Sequence, residues 1–527
     1  MAPNAQQIAK ESHVNHLLAH DKVPWYNKPN LRLLYLTLVP ACLGVEMTSG
    51  YDGSVLNGLQ SVQPWLDYFD NPNGALLGIM SAAFSIGGVF AFPFVPYCND
   101  RWGRKISVVI GSAIIFIGVI IQTASVNIGM FIASRLILGL GIPFAIGGAS
   151  QLIAELSYPK ERAVLTGLFN ISYYAGATLA AGVTLGTFFW TNNWSWRLPS
   201  LMQIAPSALQ LIFIWWVPES PRFLIAKGKG DQAFDILAKY HAEGNRDDAF
   251  VKAEFAEIEA TIKMELEANK RGWLDLMRTA GNRRRSFIAA CVGLFSQWSG
   301  NGIVSYYLAK VLNSVGILDK KTQNIINLGL MIWNLITGIN GSLWCRVLNR
   351  RTQYLFSYTG MLVIFICWTI ASANFAQTGN LHAAGAVVGM IFLYYPMYNT
   401  MMPLTYNYIV EIFPYSTRAK GIAITQLLTR AGSGFNQFVN PIGLQNLTWK
   451  FYIFYDCWLF VETAVIYIFY PETRGPTLEE LAAIFDGPDA VVGGQDVGAA
   501  LDAQYDEKEH SVDDLDKPNA TYIEDRV

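Results

Sequence analysis

The stretch ISVVIGSAIIFIGVIIQTASVNIGMFIAS, residues 106–134, contains no acidic or basic side chain. About 20 residues of helix span the ~30 Å hydrocarbon core of a bilayer, so a run of this length can cross one. Residues 198–217, LPSLMQIAPSALQLIFIWWV, form a second run without charge. One such run fits a buried helix of a large soluble protein; a dozen do not. By the same length criterion the first six spans are expected at 34–59, 76–98, 106–125, 128–153, 163–190 and 198–217. The second six are expected at 287–312, 325–347, 354–375, 384–411, 419–444 and 450–470. Lipid offers no partner to a backbone N–H or C=O, so each run is expected to be helical. The predicted class is all-α: a multi-pass membrane protein with twelve helices in two pseudo-symmetric six-helix bundles.

Composition agrees. The 527 residues are 52% hydrophobic and 15% charged, whereas an average soluble domain carries about 25% charged residues. A net charge of −2 and the lack of a Lys/Arg-rich block exclude nucleic acid as a partner. The six cysteines (Cys42, Cys98, Cys291, Cys345, Cys367, Cys457) fall in or beside apolar segments, with no spacing for a metal or a disulfide framework. They read as packing thiols. No nucleophile–base pair, metal-spaced cluster or phosphate loop stands out, so neither an enzyme nor a cofactor is expected. The glycines between 139 and 148 read as close helix packing.

The organisation expected is a tail (1–33), a first bundle (34–217), a polar linker with helices rich in Ala, Glu and Lys (218–286), a second bundle (287–470) and a second tail (471–527). The first 30 or so residues hold no signal-peptide core, so the first span is expected to act as its own insertion signal. The final stretch, 495–527, is acidic and poor in apolar residues and is expected to be disordered. Orientation follows from basic residues in short loops. One side gathers Arg101, Arg104, Lys105, Lys160, Arg162, Arg346, Arg350, Arg351, Arg418 and Lys420. The other has Arg197, Lys320, Lys321 and Lys450. The first side is read as cytosolic, with the linker and both termini, in a plasma-membrane protein taken to be a monomer. Six spans, a linker and six spans suggest two related halves with a midplane site between them. The basic turns DRWGRK (100–105) and RVLNRR (346–351) fall at corresponding places in the halves.

Several segments carry a resemblance. DRWGRK is similar to the loop signature of the major facilitator superfamily. GYDG (50–53), RLILG (135–139), PESPR (218–222), EIFP (411–414) with RAKG (418–421), and PETRGPTLEE (471–480) narrow it to the sugar porter family. The ordered set covers roughly residues 34–485. In the seventh span, FSQWSGNGIVSYY (295–307) keeps Gln297, Gly300, Tyr306 and Tyr307 of the family pattern. It has Ser296 and Gly302 where the family has Gln and Asn, with an Asn one place earlier at 301. That variant, with PLTYNY (403–408) and Asn440-Pro441, resembles fungal lactose permeases and cellodextrin transporters.

A sugar is uncharged and rich in hydroxyls, so its site needs amides and aromatic faces. Gln297 and Asn301 are four residues apart on one helix face. An amide at this depth either contacts substrate or bonds between helices. The resemblance adds Asn170 in the fifth span, Asn334 in the eighth, and Tyr306, Tyr406 and Asn436. Ala177, Gly302 and Tyr406 stand where relatives carry larger side chains, which suggests room for a disaccharide. Arg430, in the eleventh span where the family has a cavity-facing Trp, either pairs with Asp456 or Glu462 or meets sugar.

Asp52 in the first span and Arg135 in the fourth suggest proton coupling. A buried carboxylate keeps its charge beside an Arg and takes a proton when the pair separates. A permanent structural pair is the alternative, and Gln203 stands where some coupled members have a Glu. Glu46, one and two-thirds turns before Asp52, is a second acid that can share the role. The resemblance further implies that Asp100, Arg104, Glu155, Arg162, Glu219, Arg222, Glu411, Arg418, Glu472 and Arg474 form ion pairs closing the cytosolic mouth. Arg346 and Asn349 replace the Asp and Gly of the second turn, so a weaker latch is expected there. The function expected is sugar transport by alternating access, with proton symport, the partners being a small sugar, a proton and the bilayer. A sugar sensor and a passive hexose uniporter are the alternatives. Asn193 and Asn446 begin glycosylation sequons that lie close to the membrane.

Overall fold

The computed structural model describes residues 18, 21–268, 273–344, 347–474 and 484–486. The stretch 495–527 and Arg346 lie outside the described residues, as do positions 475–480 of the last motif. Helices make up most of the described residues, and no strand occurs among them. Among the described residues, nine helices are long and apolar enough to cross a membrane. Two more, Pro159–Thr187 and Tyr415–Leu447, have the length but carry more polar residues, and the pair Trp194–Leu201 and Ile204–Ile214 forms one broken span. Together they give the twelve spans.

In order, the first half runs Pro29–Leu59, Gly74–Ala91 continued by Phe94–Trp102, Arg104–Thr123, Ile128–Leu156, Pro159–Thr187, and the broken sixth span. The second half runs Ala280–Trp298 continued by Asn301–Ser314, Lys320–Trp344, Arg350–Thr378, Leu381–Met401 continued by Leu404–Ile412, Tyr415–Leu447, and Lys450–Phe469. Between them Pro221–Ala226, Gly230–His241, Ala249–Ala268 and Asp275–Arg278 form the linker.

Side chains are distributed for a lipid solvent. Phe90, Phe94, Ile117, Ile120, Ile212, Trp215, Ile370, Phe460 and Ile468 are all exposed. On a soluble protein such a belt is a liability; against acyl chains it is the contact surface. Inside, small residues let backbones approach. A Cβ on Gly139 would lie 1.9 Å from the Phe84 carbonyl oxygen, and one on Gly148 2.5 Å from that of Arg104. The glycines of 139–148 are therefore packing residues, as their spacing suggests.

At the end of the molecule that carries the linker, the two halves repeat one arrangement. The third span begins at Arg104, and its free N–H groups need acceptors. Glu219 accepts from Arg104 N (3.1 Å) and Lys105 N (3.3 Å). Burial raises the Glu219 carboxyl above its ordinary value, while these N–H groups pull it down. Arg104 Nε reaches Glu155 at 3.3 Å, and the Ser220 hydroxyl donates to Glu155. In the second half Glu472 accepts from Arg350 N (2.8 Å) and Arg351 N (3.1 Å). Arg350 pairs with Glu411 at 3.0 Å, and Thr473 donates to Glu411.

In the second half the cation of this arrangement is Arg350, which keeps its ion pair with Glu411 although Arg346 and Asn349 replace the motif's Asp and Gly. Helix geometry explains this, because a carboxylate capping the first N–H groups works whatever residue precedes the helix. Asp100 is exposed and makes no ion pair among the described residues. Arg162 meets Glu254 of the linker at 3.9 Å and lies close to Arg222. Arg418 Nε donates to the Phe413 carbonyl at 3.3 Å, and Arg474 N to Glu472 at 3.0 Å. Each contact stays within one half or ties a half to the linker.

Candidate functional site

The halves meet at the opposite end, around the break in the seventh span. Helix Ala280–Trp298 stops, and Asn301–Ser314 starts after Gly300, whose φ of 97° is left-handed. Such a break leaves carbonyls without intrahelical partners, and in a membrane they must be met by side chains. Tyr398 donates to the Ser296 carbonyl (2.9 Å), Asn436 to that of Gln297 (2.7 Å) and Tyr394 to that of Ser299 (2.9 Å). A second irregularity at Tyr307 (φ −137°, ψ 28°) opens the next turn.

That turn is capped by the first half. Asn57 accepts from Leu308 N at 3.0 Å and donates to Asn327 at 3.1 Å, and Gln60 donates to the Tyr306 carbonyl at 2.6 Å. Ser61 bonds Gln323 at 3.2 Å. In the second span Ser85 donates to Ser433 (3.3 Å) and Gln437 (3.2 Å) of the eleventh. Tyr174 donates to Asn399 at 2.5 Å. The molecule is thus stitched across by neutral groups from this end to mid-span, whereas the contacts named above at the linker end stay within one half or reach the linker. If linker and basic loops are cytosolic, this is an inward-facing arrangement.

Asn57 was not anticipated from sequence; its signal is an amide four residues after Gly53, on the face that meets the other half. Replacing it with alanine leaves the Leu308 N–H without an acceptor, worth about 1–3 kcal/mol. We expect N57A to favour the conformation open at this end. Faster maleimide labelling of a cysteine placed at Ser61 reads the shift, and an unchanged rate contradicts it.

The sequence-predicted site residues divide into two groups. Gln297 is half-buried, with one long bond of 3.4 Å to Ser296 Oγ, and Tyr306 is half-buried with its hydroxyl unengaged among the described residues. Asn170 is exposed, one turn before Tyr174 on the face toward the second half. These three have polar atoms to offer a ligand. The second group is occupied. Asn301 donates to Tyr398 Oη (2.8 Å) and accepts from Ser305 (2.6 Å). Asn334, 1% exposed, accepts from Asn399 at 3.2 Å, and Asn436 accepts from Tyr455 at 2.6 Å. Tyr406 lies in helix Leu404–Ile412, but its side chain is outside the described residues.

Three expectations need correction. The room expected at Gly302 is filled, since a Cβ there would lie 2.3 Å from Asn436 Nδ2. Ala177 is 2% exposed and packs in the apolar cluster of the second half, so it opens no space either. Arg430 makes no ion pair with Asp456 or Glu462 among the described residues, and Glu462 is 0% exposed. The acid that feels Arg430 is Glu46, in the other half. Asp52 and Arg135 do meet, at 3.4 Å from both guanidinium nitrogens, and are 1% and 3% exposed. Sequence reading missed Tyr394, Tyr395 and Tyr398, although the run YYPMY (394–398) puts two of them one turn apart.

The profile of the family described as "Sugar (and other) transporter" matches residues 37–485. The chain belongs to that family. It is a sugar transporter of the major facilitator type, and therefore not an enzyme. Among curated relatives it is 28% identical over 498 residues to the MFS-type transporter oryC of Aspergillus oryzae, covering 92% of this chain and 91% of that one. It is 25% identical over 476 residues to the high-affinity glucose transporter of Kluyveromyces lactis, covering 87% and 86%. The inward open conformation of the Escherichia coli xylose transporter XylE superposes with a TM-score of 0.70 at 23% identity, over 86% of this chain and 100% of that one. The partially occluded inward open form gives the same TM-score at 22% identity, over 84% and 99%. The fold is the same.

Proposed function

We propose that this transporter carries a neutral disaccharide, of the lactose or cellobiose type, together with a proton, by rocking its halves about the broken seventh span. The observation that carries the reading is the set of uncharged polar groups, Gln297, Tyr306 and Asn170, with a discontinuous helix and neutral contacts joining the two halves. Amides and phenols match hydroxyls and ring faces without asking for charge. A broken span gathers polar side chains around the backbone groups it releases, as Tyr394, Tyr398 and Asn436 do here, and such a cluster suits a substrate rich in hydroxyls. The disaccharide rests on the displaced Asn301 and on the resemblance to fungal lactose and cellodextrin carriers. A hexose is the second reading, favoured by the filled space at Gly302 and by the glucose transporters among the relatives.

Symport rests on the buried Asp52–Arg135 pair, and XylE, of the same fold, is described as a proton:xylose symporter. The basic loops put linker and termini in the cytosol, and the plasma membrane is the expected site. The cytosolic charges named above would meet across the mouth in the opposite conformation.

The test is uptake of labelled mono- and disaccharides by proteoliposomes at two pH values. Lactose or cellobiose should compete where glucose and xylose do not, and the reverse result moves the substrate to hexoses. Net accumulation separates a carrier from a sensor. Gln297→Ala should raise KM about tenfold or more, roughly the 1.4 kcal/mol of one well-placed hydrogen bond; an unaltered KM removes Gln297 from the site.

A further inference from the structure

Resting on the symport reading above, we propose that Glu46 and Arg430, one from each half, form a charge pair whose separation tracks the rocking motion, making Glu46 a second proton-linked acid of the cycle.

Asp52 and Arg135 both belong to the first half, on its first and fourth spans. Rigid rocking of the halves by itself leaves the distance between two groups of one half unchanged, so parting Asp52 from Arg135 takes a local change within that half. A pair that reads the position of the halves must have one member in each.

Glu46 and Arg430 meet this condition. On the first span Glu46, Gly53 and Asn57 are 7 and 11 residues apart, about two and three turns, and so share one face. Asn57 on that face already bonds the second half. On the eleventh span Arg430, Ser433 and Gln437 share a face, and the last two bond Ser85 of the first half. Both charges therefore point into the space between the halves, below the seam that closes it. The stem of Arg430 crosses to the second span, where a Cβ on Gly88 would lie 3.7 Å from its Cδ. Its charge acts on Glu46.

Both side chains are half-buried, and neither makes a hydrogen bond or a close ion pair among the described residues. Among the described residues, the phenol of Tyr173 on the fifth span also faces Glu46. A guanidinium and a carboxylate at this depth are costly unless they pair or meet water. Here they interact without touching, so a small rotation of one half brings them together or takes them apart. Water on one side supplies the proton that Glu46 takes up, and water on the other receives it. Arg430 stays protonated throughout.

The experiment uses purified full-length protein in proteoliposomes with an internal pH dye and the sugar that the uptake panel identifies. In the wild type, sugar entry carries protons. Glu46→Gln should lower protons moved per sugar at least tenfold and flatten the pH dependence of uptake, while sugar counterflow, which needs no net proton movement, persists at a reduced rate. Arg430→Gln should alter the same pH profile, and the exchanged pair E46R/R430E should recover counterflow lost in E46R alone. Size-exclusion profiles and melting curves confirm that each variant folds. An E46Q protein that still moves protons with sugar overturns the inference and leaves symport intact. A wild type that moves sugar without protons overturns symport, and the inference with it.

Discussion

Replacing Gly300 by valine should abolish uptake and lower the melting temperature of the purified protein, the largest single-residue effect expected outside the charged core. Two costs combine. A φ of 97° is strained for any residue with a Cβ, by about 1–2 kcal/mol. That Cβ would also lie 2.5 Å from Phe365 Cε2. The ring cannot yield, because Phe365 is 0% exposed and packed on Trp368 with centroids 4.7 Å apart. Overpacking of this kind costs about 1–3 kcal/mol more. Gly379 supplies the control: its φ is 65°, and nothing lies within 4 Å of a Cβ placed there. G379A should show the backbone cost alone and keep uptake. Equal effects at the two positions would sink the argument.

The second large effect is at the buried ion pair. Asp52→Asn keeps the shape but removes the charge opposite Arg135, leaving a guanidinium 3% exposed with no counter-ion. Breaking a buried pair from one side costs about 3–5 kcal/mol, whereas replacing both members is often neutral. D52N should therefore melt far earlier than the wild type. The double variant D52N/R135M should recover most of that stability yet remain without proton-coupled uptake. If D52N and the double variant melt alike, the pair is not the source of the stability. Recovery of coupled uptake in the double variant would remove Asp52 from the proton path.

These two sites mark how far the sequence could be read. Run length located the spans, nine of them apolar enough among the described residues, because lipid imposes a length and makes charge costly. The breaks were harder to see. Ser299-Gly300-Asn301 looks the same to a hydropathy window whether the helix continues or stops, and the decisive fact is a ring from the ninth span behind Gly300. The amides were legible as polar groups at depth, but not by their duty. Asn436 serves a carbonyl freed by the break and Asn334 serves Asn399, whereas the Gln297 amide has one long bond, to Ser296. Nothing in residue type separates these, since an amide answers a backbone carbonyl and a sugar hydroxyl with the same atoms. Arg430 was legible as a charge needing a partner, but Glu46 lies 384 positions away in sequence and only the packing of the halves brings it near. Arg350 was recoverable in principle, because the aligned turns place it opposite Arg104.

The repeated Arg–Glu knots at the linker end have a mechanical consequence. Each binds the ends of several helices inside one half, so each half swings as a stiff arm rather than bending at its loops. The catch at the far end is soft by comparison, a short row of amide and hydroxyl contacts, each worth about 1 kcal/mol. Stiff arms on a soft catch transmit a small displacement at the sugar to the far rim without losing it in deformation. The pace of such a rocker is set where it is weakest, at Asn57, Gln60 and Ser85.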